Sequence, residues 1–168
     1  MKKRVSVAAI AALLVALLGV AAVPPSSLAQ AGLRIGGGSA NFGVFSLVGG
    51  FLPDPAAYNV VSGGNIDASR VSPGCRGWVT AQPDVIVRYA NPASWVRFYV
   101  RAPGDTTLVV NDARGRWWCS DDEGGSLNPM IDISGPSGGQ YDIWIGSYRS
   151  GEQVRGTLFV TELSGNRP

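Results

Sequence analysis

Apolar and polar residues alternate along most of this chain in short runs, and Gly, Pro, Asn or Asp closes each run. Period-two alternation places successive side chains on opposite faces of a strand, so the pattern predicts strands. The cleanest run is residues 95–102. There Val96, Phe98 and Val100 share one face, and Arg97, Tyr99 and Arg101 share the other. Residues 84–90 put Val85, Val87 and Tyr89 together opposite Arg88, and residues 141–148 group Tyr141, Ile143 and Ile145. Further strands are expected over 58–62, 77–81, 107–111, 116–119, 130–134 and 156–163.

Residues 41–48 (NFGVFSLV) also alternate, but both faces are partly apolar, so this strand either lies in the core or pairs with another chain. Residues 49–55 (GGFLPDP) form a turn-rich corner, because proline hinders both helix and ladder. No segment keeps a helical period for three turns, and there is no internal repeat or interdomain linker. The expected fold is all-β: a single antiparallel β-sandwich, jelly-roll-like, with about nine strands.

The N-terminus follows a different pattern. Lys2, Lys3 and Arg4 precede an uncharged run rich in Ala, Leu and Val from Val5 to Val23, Pro24-Pro25 ends it, and Ser27-Leu28-Ala29 and Ala29-Gln30-Ala31 each offer a small-x-small site. This is the layout of a secretory signal peptide, although the run is also long enough for an uncleaved anchor. The division expected is a signal peptide over 1–31, a Gly-rich leader and N-terminal strand over 32–48, and the sandwich over 49–168. A mature chain of about 137 residues suits one core. Once cleaved, nothing in it calls for a membrane.

Cleavage also changes the charge. The formal +2 includes Lys2, Lys3 and Arg4; without them eleven Arg face twelve acids, a net charge of −1. The basic isoelectric point is therefore no argument for nucleic acid. Two cysteines in an exported chain, Cys75 and Cys119, read as one disulfide, with two free thiols as the alternative. The bridge would close a loop of about 45 residues, worth up to about 4 kcal/mol in the chain-entropy model.

Composition narrows the chemistry further. The chain has no histidine, and its only lysines lie in the signal segment, so Ser–His–Asp, Cys–His and Ser–Lys arrangements are excluded. A carboxylate pair, with Glu152 and Glu162 near strand ends, is the remaining catalytic option, as in a polysaccharide hydrolase.

Five of the twelve acids crowd into residues 105–123: Asp105, Asp112, Asp121, Asp122 and Glu123. Asn111 and Asn128 add neutral oxygens. Ca²⁺ takes six to eight hard oxygen ligands, and carboxylates from separate loops can supply them. In an antiparallel arrangement Asp105, which begins a strand, can meet Asp121 or Asp122 at one rim. The expected ligands are Asp105, Asp121, Asp122 and Asn128, with Asp112 less central. The alternative is that these acids are solvated turn residues. Trp117 and Trp144, with Arg97 and Arg101, form a candidate ligand surface for sugar or anionic polymer. Core packing and outward ion pairs are the competing explanations.

Several segments together resemble a known group. They are Gly50-Phe51-Leu52-Pro53-Asp54-Pro55, Cys75-Arg76-Gly77-Trp78, Asp105-Thr106-Thr107-Leu108, Trp117-Trp118-Cys119-Ser120-Asp121-Asp122, Asn128-Pro129 and Gly139-Gln140-Tyr141-Asp142-Ile143-Trp144-Ile145-Gly146. This set resembles small secreted bacterial β-domains similar to pre-peptidase C-terminal modules. The resemblance implies a free-standing accessory module, since some such domains bind Ca²⁺ and matrix polymers. Some carry a serine-peptidase label, for which this chain lacks the histidine. The expected function is a secreted, non-catalytic Ca²⁺-binding module whose partners are an extracellular polymer or its own copies. The second reading is a surface or filament subunit that donates residues 41–48 to a neighbour's sheet.

Overall fold

The computed structural model describes residues 32–122 and 126–168. The signal segment and Glu123 lie outside the described residues. Two sheets carry eleven strands: β1 (Val44–Val48), β2 (Ala56–Val61), β3 (Ile66–Asp67), β4 (Trp78–Val79), β5 (Val85–Ala90), β6 (Trp95–Arg101), β7 (Thr106–Asn111), β8 (Trp117–Ser120), β9 (Met130–Ser134), β10 (Gly139–Ser147) and β11 (Arg155–Thr161). A single 3₁₀ turn, Ala68–Arg70, follows β3. Among the described residues no helix is long and apolar enough to cross a membrane.

β10 organises the first sheet. β5 lines one of its edges over Gly139–Ile143, and β4 continues that edge at Ser147. β7 lines the other edge over Asp142–Ser147 and carries β8 beyond it. β3 extends from β4, and β1 closes the far side against β5. The second sheet runs β2-β11-β6-β9. All pairs are antiparallel except β1–β5, which is parallel. A two-residue turn cannot join parallel strands, so the chain passes through β2, β3 and β4 between these two. β4 falls within the strand expected over 77–81, and β3 is the added one, because Ile66–Asp67 is too brief to show a period.

The alternation seen in sequence fixes the inter-sheet core. Val85, Val87 and Tyr89 of β5 meet Val96, Phe98 and Val100 of β6, with Tyr141, Ile143 and Ile145 of β10 and Leu158 and Val160 of β11. Phe98 is fully buried and stacks on Tyr141 at 5.6 Å between centroids. Truncating it to Ala would cost about 3–5 kcal/mol through lost transfer energy and the cavity left behind.

A second core covers the outer face of the first sheet. Val109, Trp144 and Val79 pack there with Ala68, Val71 and Cys75. Both faces of β7 and β10 are thus buried, which explains their near-continuous apolar runs. The covering segment can approach closely because Gly77 and Gly146 lack side chains. A Cβ on either would fall 2.4 or 2.3 Å from Thr107 Oγ1. Cys75–Cys119 is a disulfide, as the cysteine count predicted, and ties this segment to β8 with Cα atoms 5.0 Å apart.

The leader and the C-terminal segment both lie on the sandwich. In the leader, Gly36 N–H donates to Asp142 at 2.6 Å, and Gln140 donates to Gly37 O at 2.8 Å. At the other end Arg97 donates to Ser164 O and Asn166 O at 3.0 and 2.6 Å. Residues 41–48 do not reach away from the domain, because β1 is paired within its own sheet.

Candidate metal centre

The β7–β8 hairpin sets the acids apart by position. Its register pairs Leu108 with Ser120 and Asn111 with Trp117. Asp112 therefore sits in the closed turn, while Asp105 and Asp121–Asp122 share the open end. Seven residues of extended chain separate Asp105 from Asp112, about 23 Å at strand rise. The rim-sharing expected for Asp105 with Asp121 or Asp122 follows from this pairing.

At the open end one carboxylate oxygen each from Asp105, Asp121 and Asp122 lies within 4.8 Å of the others. One oxygen of Asp105 and one of Asp121 are shielded from solvent and accept no hydrogen bond among the described residues. Burial pushes the Asp105 carboxyl above its usual range, and the charge of Asp122 pushes further. Burial also raises Asp121, reinforced by Asp122 and then Asp105. The nearest compensation is Arg76, 4.0 Å from Asp121, on a side chain that is itself 65% exposed. The charge of Arg149 also acts on Asp105, but burial and the neighbouring acids outweigh both arginines, an imbalance that suits an oxygen-ligated cation.

Asn128 lies beside this cluster, but its amide is already committed. Its oxygen accepts from Ala102 N–H at 3.1 Å and Thr106 Oγ1 at 3.2 Å, and its nitrogen donates to Ala102 O at 3.1 Å. It braces the β6–β7 connection that presents Asp105. The sequence shows the oxygen and not the donors that claim it.

Asp112 is occupied even more fully. Its carboxylate accepts from the backbone N–H of Arg114 and Arg116 at 2.9 Å each, from Arg116 Nε at 2.7 Å and from Trp118 Nε1 at 2.9 Å. Burial opposes its ionisation, but these bonds outweigh it and hold the carboxyl below its usual range. The structure thus separates Asp112 from the other acids and makes it the brace of the hairpin turn.

The candidate ligand surface is likewise engaged. Trp144 is fully buried in the outer core, and Trp117 packs on it at 5.6 Å. Arg97 is 5% exposed and grips Asp132, its cross-strand partner, through two bonds of 2.6 and 2.8 Å. Arg101 lies over the Tyr99 and Phe159 rings and donates to Arg167 O. Tyr99, on the face opposite the core, is nevertheless buried under these groups. Glu152 and Glu162 stand at opposite ends of β11, at least about 20 Å apart by strand rise. A glycosidase pair needs roughly 5–9.5 Å. Glu162 also accepts from Gly50 N–H at 2.8 Å and from the Tyr89 hydroxyl.

One buried acid had no sequence signal. Asp84 accepts from Ile145 N–H and Asn41 Nδ2, both at 2.8 Å, beneath the leader. Burial pushes its carboxyl up to about 7 despite these bonds. Only its place just before a strand marked it, and many turn acids share that.

No protein-family model and no curated protein sequence matches the chain. Among solved structures it is similar to Aeromonas hydrophila PliG, a periplasmic inhibitor of g-type lysozyme. That likeness has 14% identity over 70% of this chain and 96% of the other, with a TM-score of 0.41. At that distance it carries no functional information.

Proposed function

We propose that this chain is an exported, non-catalytic β-sandwich module that binds Ca²⁺ at the open end of the β7–β8 hairpin and serves a binding or structural role outside the cytoplasm. The observation that carries it is the convergence of Asp105, Asp121 and Asp122 within 4.8 Å, with two shielded oxygens that accept nothing. These three acids would supply the charged ligands, and backbone carbonyls and water the remainder. The basic n-region and apolar run at the N-terminus support export. The lack of histidine, and of lysine beyond residue 3, supports a non-catalytic role. The resemblance to pre-peptidase C-terminal modules points the same way.

A ligand that binds only the folded protein raises its melting temperature by mass action. With the millimolar-range affinity usual for extracellular modules, about 10 mM Ca²⁺ should raise Tm by roughly 5 °C, reversibly with EDTA. Asp121→Asn and Asp122→Asn should each abolish the rise, whereas Asp112→Asn should retain it. An unchanged Tm in the parent protein removes the calcium assignment.

A further inference from the structure

β1 is an edge strand with its outer side open. The ladder to β5 includes Ile86 N–H to Gly43 O at 3.1 Å and Gly49 N–H to Ala90 O at 3.0 Å. Odd-numbered residues thus turn their backbone groups towards β5. Val44, Ser46 and Val48 turn theirs outward, and among the described residues no hydrogen bond reaches them. Their side chains are exposed too, Val44 by 37% and Val48 by 52%. Phe45 and Leu47 face inward, and Phe45 stacks on Tyr58 of β2 at 4.0 Å.

Natural sheets blunt such edges with charge, proline or brevity. The other edges here do so. β9 carries Asp132, and β8 lies between Arg116 and Asp121–Asp122. β2 follows Pro53 and Pro55, and β3 is two residues long. β1, with the sequence VFSLV, has none of these devices.

We propose that β1 is a homodimer interface, pairing antiparallel with β1 of a second copy about a twofold axis at Ser46. The strand is self-complementary in that register. Val44 meets the partner's Val48, Ser46 meets the partner's Ser46, and on the inner face Phe45 meets the partner's Leu47. The three outward residues of each copy form hydrogen-bonded pairs, about six bonds in all. The exposed valines cover each other beside the groove lined by Val48, Arg88, Ala90 and Gln140. The absence of charge removes the repulsion that a twofold places on any ionised central residue.

Analytical ultracentrifugation of the purified protein from micromolar to millimolar concentration tests this. The parent should sediment as a dimer at the upper end. Ser46→Lys, which sets two ammonium groups face to face, should be monomeric throughout, with the parent's melting temperature at micromolar concentration, where both are monomers. Register is read by oxidation. Ser46→Cys should give a disulfide-linked dimer, because paired Cα atoms stand about 5.5 Å apart. Val48→Cys should not, since the two copies of residue 48 lie about 13 Å apart along the strands. Peptide mapping should place that bond at residue 46 with Cys75–Cys119 intact. A parent that stays monomeric, a Ser46→Lys variant that dimerises equally, or Val48→Cys crosslinking as fast as Ser46→Cys overturns the proposal.

Discussion

Asp105 and Asp112 flank the same strand, and the chain supplies no difference between them beyond position. Asp112 meets four donors and is held ionised. Asp105 keeps a shielded oxygen with no donor and faces two further acids. The closed end of a hairpin turns its backbone N–H groups inward, so a carboxylate there is satisfied locally. The open end has no such supply, and charge collected there needs a partner from outside. An acid's role thus depends on how many donors the fold aims at it.

The largest effect should come from breaking the satisfied end. Asp112→Ala leaves the Trp118 indole and two backbone N–H groups without their acceptor and should cost about 3 kcal/mol in urea unfolding. Asp112→Asn keeps one acceptor oxygen and should cost about half of that. An equal loss from both would mean that charge, rather than hydrogen-bond count, holds the turn.

Next in size is the response to pH in EDTA, where the two ends pull in opposite directions. Asp84, raised to about 7, and Asp105 and Asp121, raised by burial and neighbouring charge, bind protons more tightly when folded. Their contribution is present in acid and is lost as pH rises above the unfolded value of about 4. Asp112, with a depressed folded value, contributes above about pH 4, and that contribution is lost as pH falls further. Stability should therefore peak near pH 4 and decline progressively towards pH 7. Asp84→Asn should flatten much of that decline. A profile that rises from pH 5 to 7 contradicts the burial argument.

The smallest effect has the most distinctive sign. Asp121→Asn, which should abolish the calcium response, should stabilise the calcium-free protein by up to about 1 kcal/mol, because it relieves like-charge repulsion. Loss of stability in EDTA would mean that Arg76 already balances the cluster.

Much of this architecture was legible because its cause is local. The alternation in β5, β6 and β10 specifies which residues enter the inter-sheet core, and the hairpin register brings Asp105 to Asp121 and Asp122. What escaped depends on distant partners. Asn128 and Arg97 look free until Ala102, Thr106, Asp132 and the C-terminal carbonyls claim them. Trp144 reads as a platform until the segment carrying Val71 and Cys75 folds over it. The parallel place of β1 beside β5 depends on a route through three intervening strands, which no local period encodes.

The fastened leader and C-terminal segment have a consequence for durability. The C-terminal residues are held at backbone carbonyls by Arg97 and Arg101, and Asn166 also donates to Thr161 Oγ1 at 2.9 Å. A carboxypeptidase needs several residues of loose chain to thread into its cleft. Here trimming beyond Pro168 must first free Arg167 from the guanidinium that grips it. An aminopeptidase working through the leader meets the same obstacle at Gly36 and Gly37, which Asp142 and Gln140 hold down. This folding-in protects the leader around residues 36–37 and the segment 164–167 from stepwise trimming. Digestion should begin at an internal loop and leave residues 36–37 and 164–167 in place.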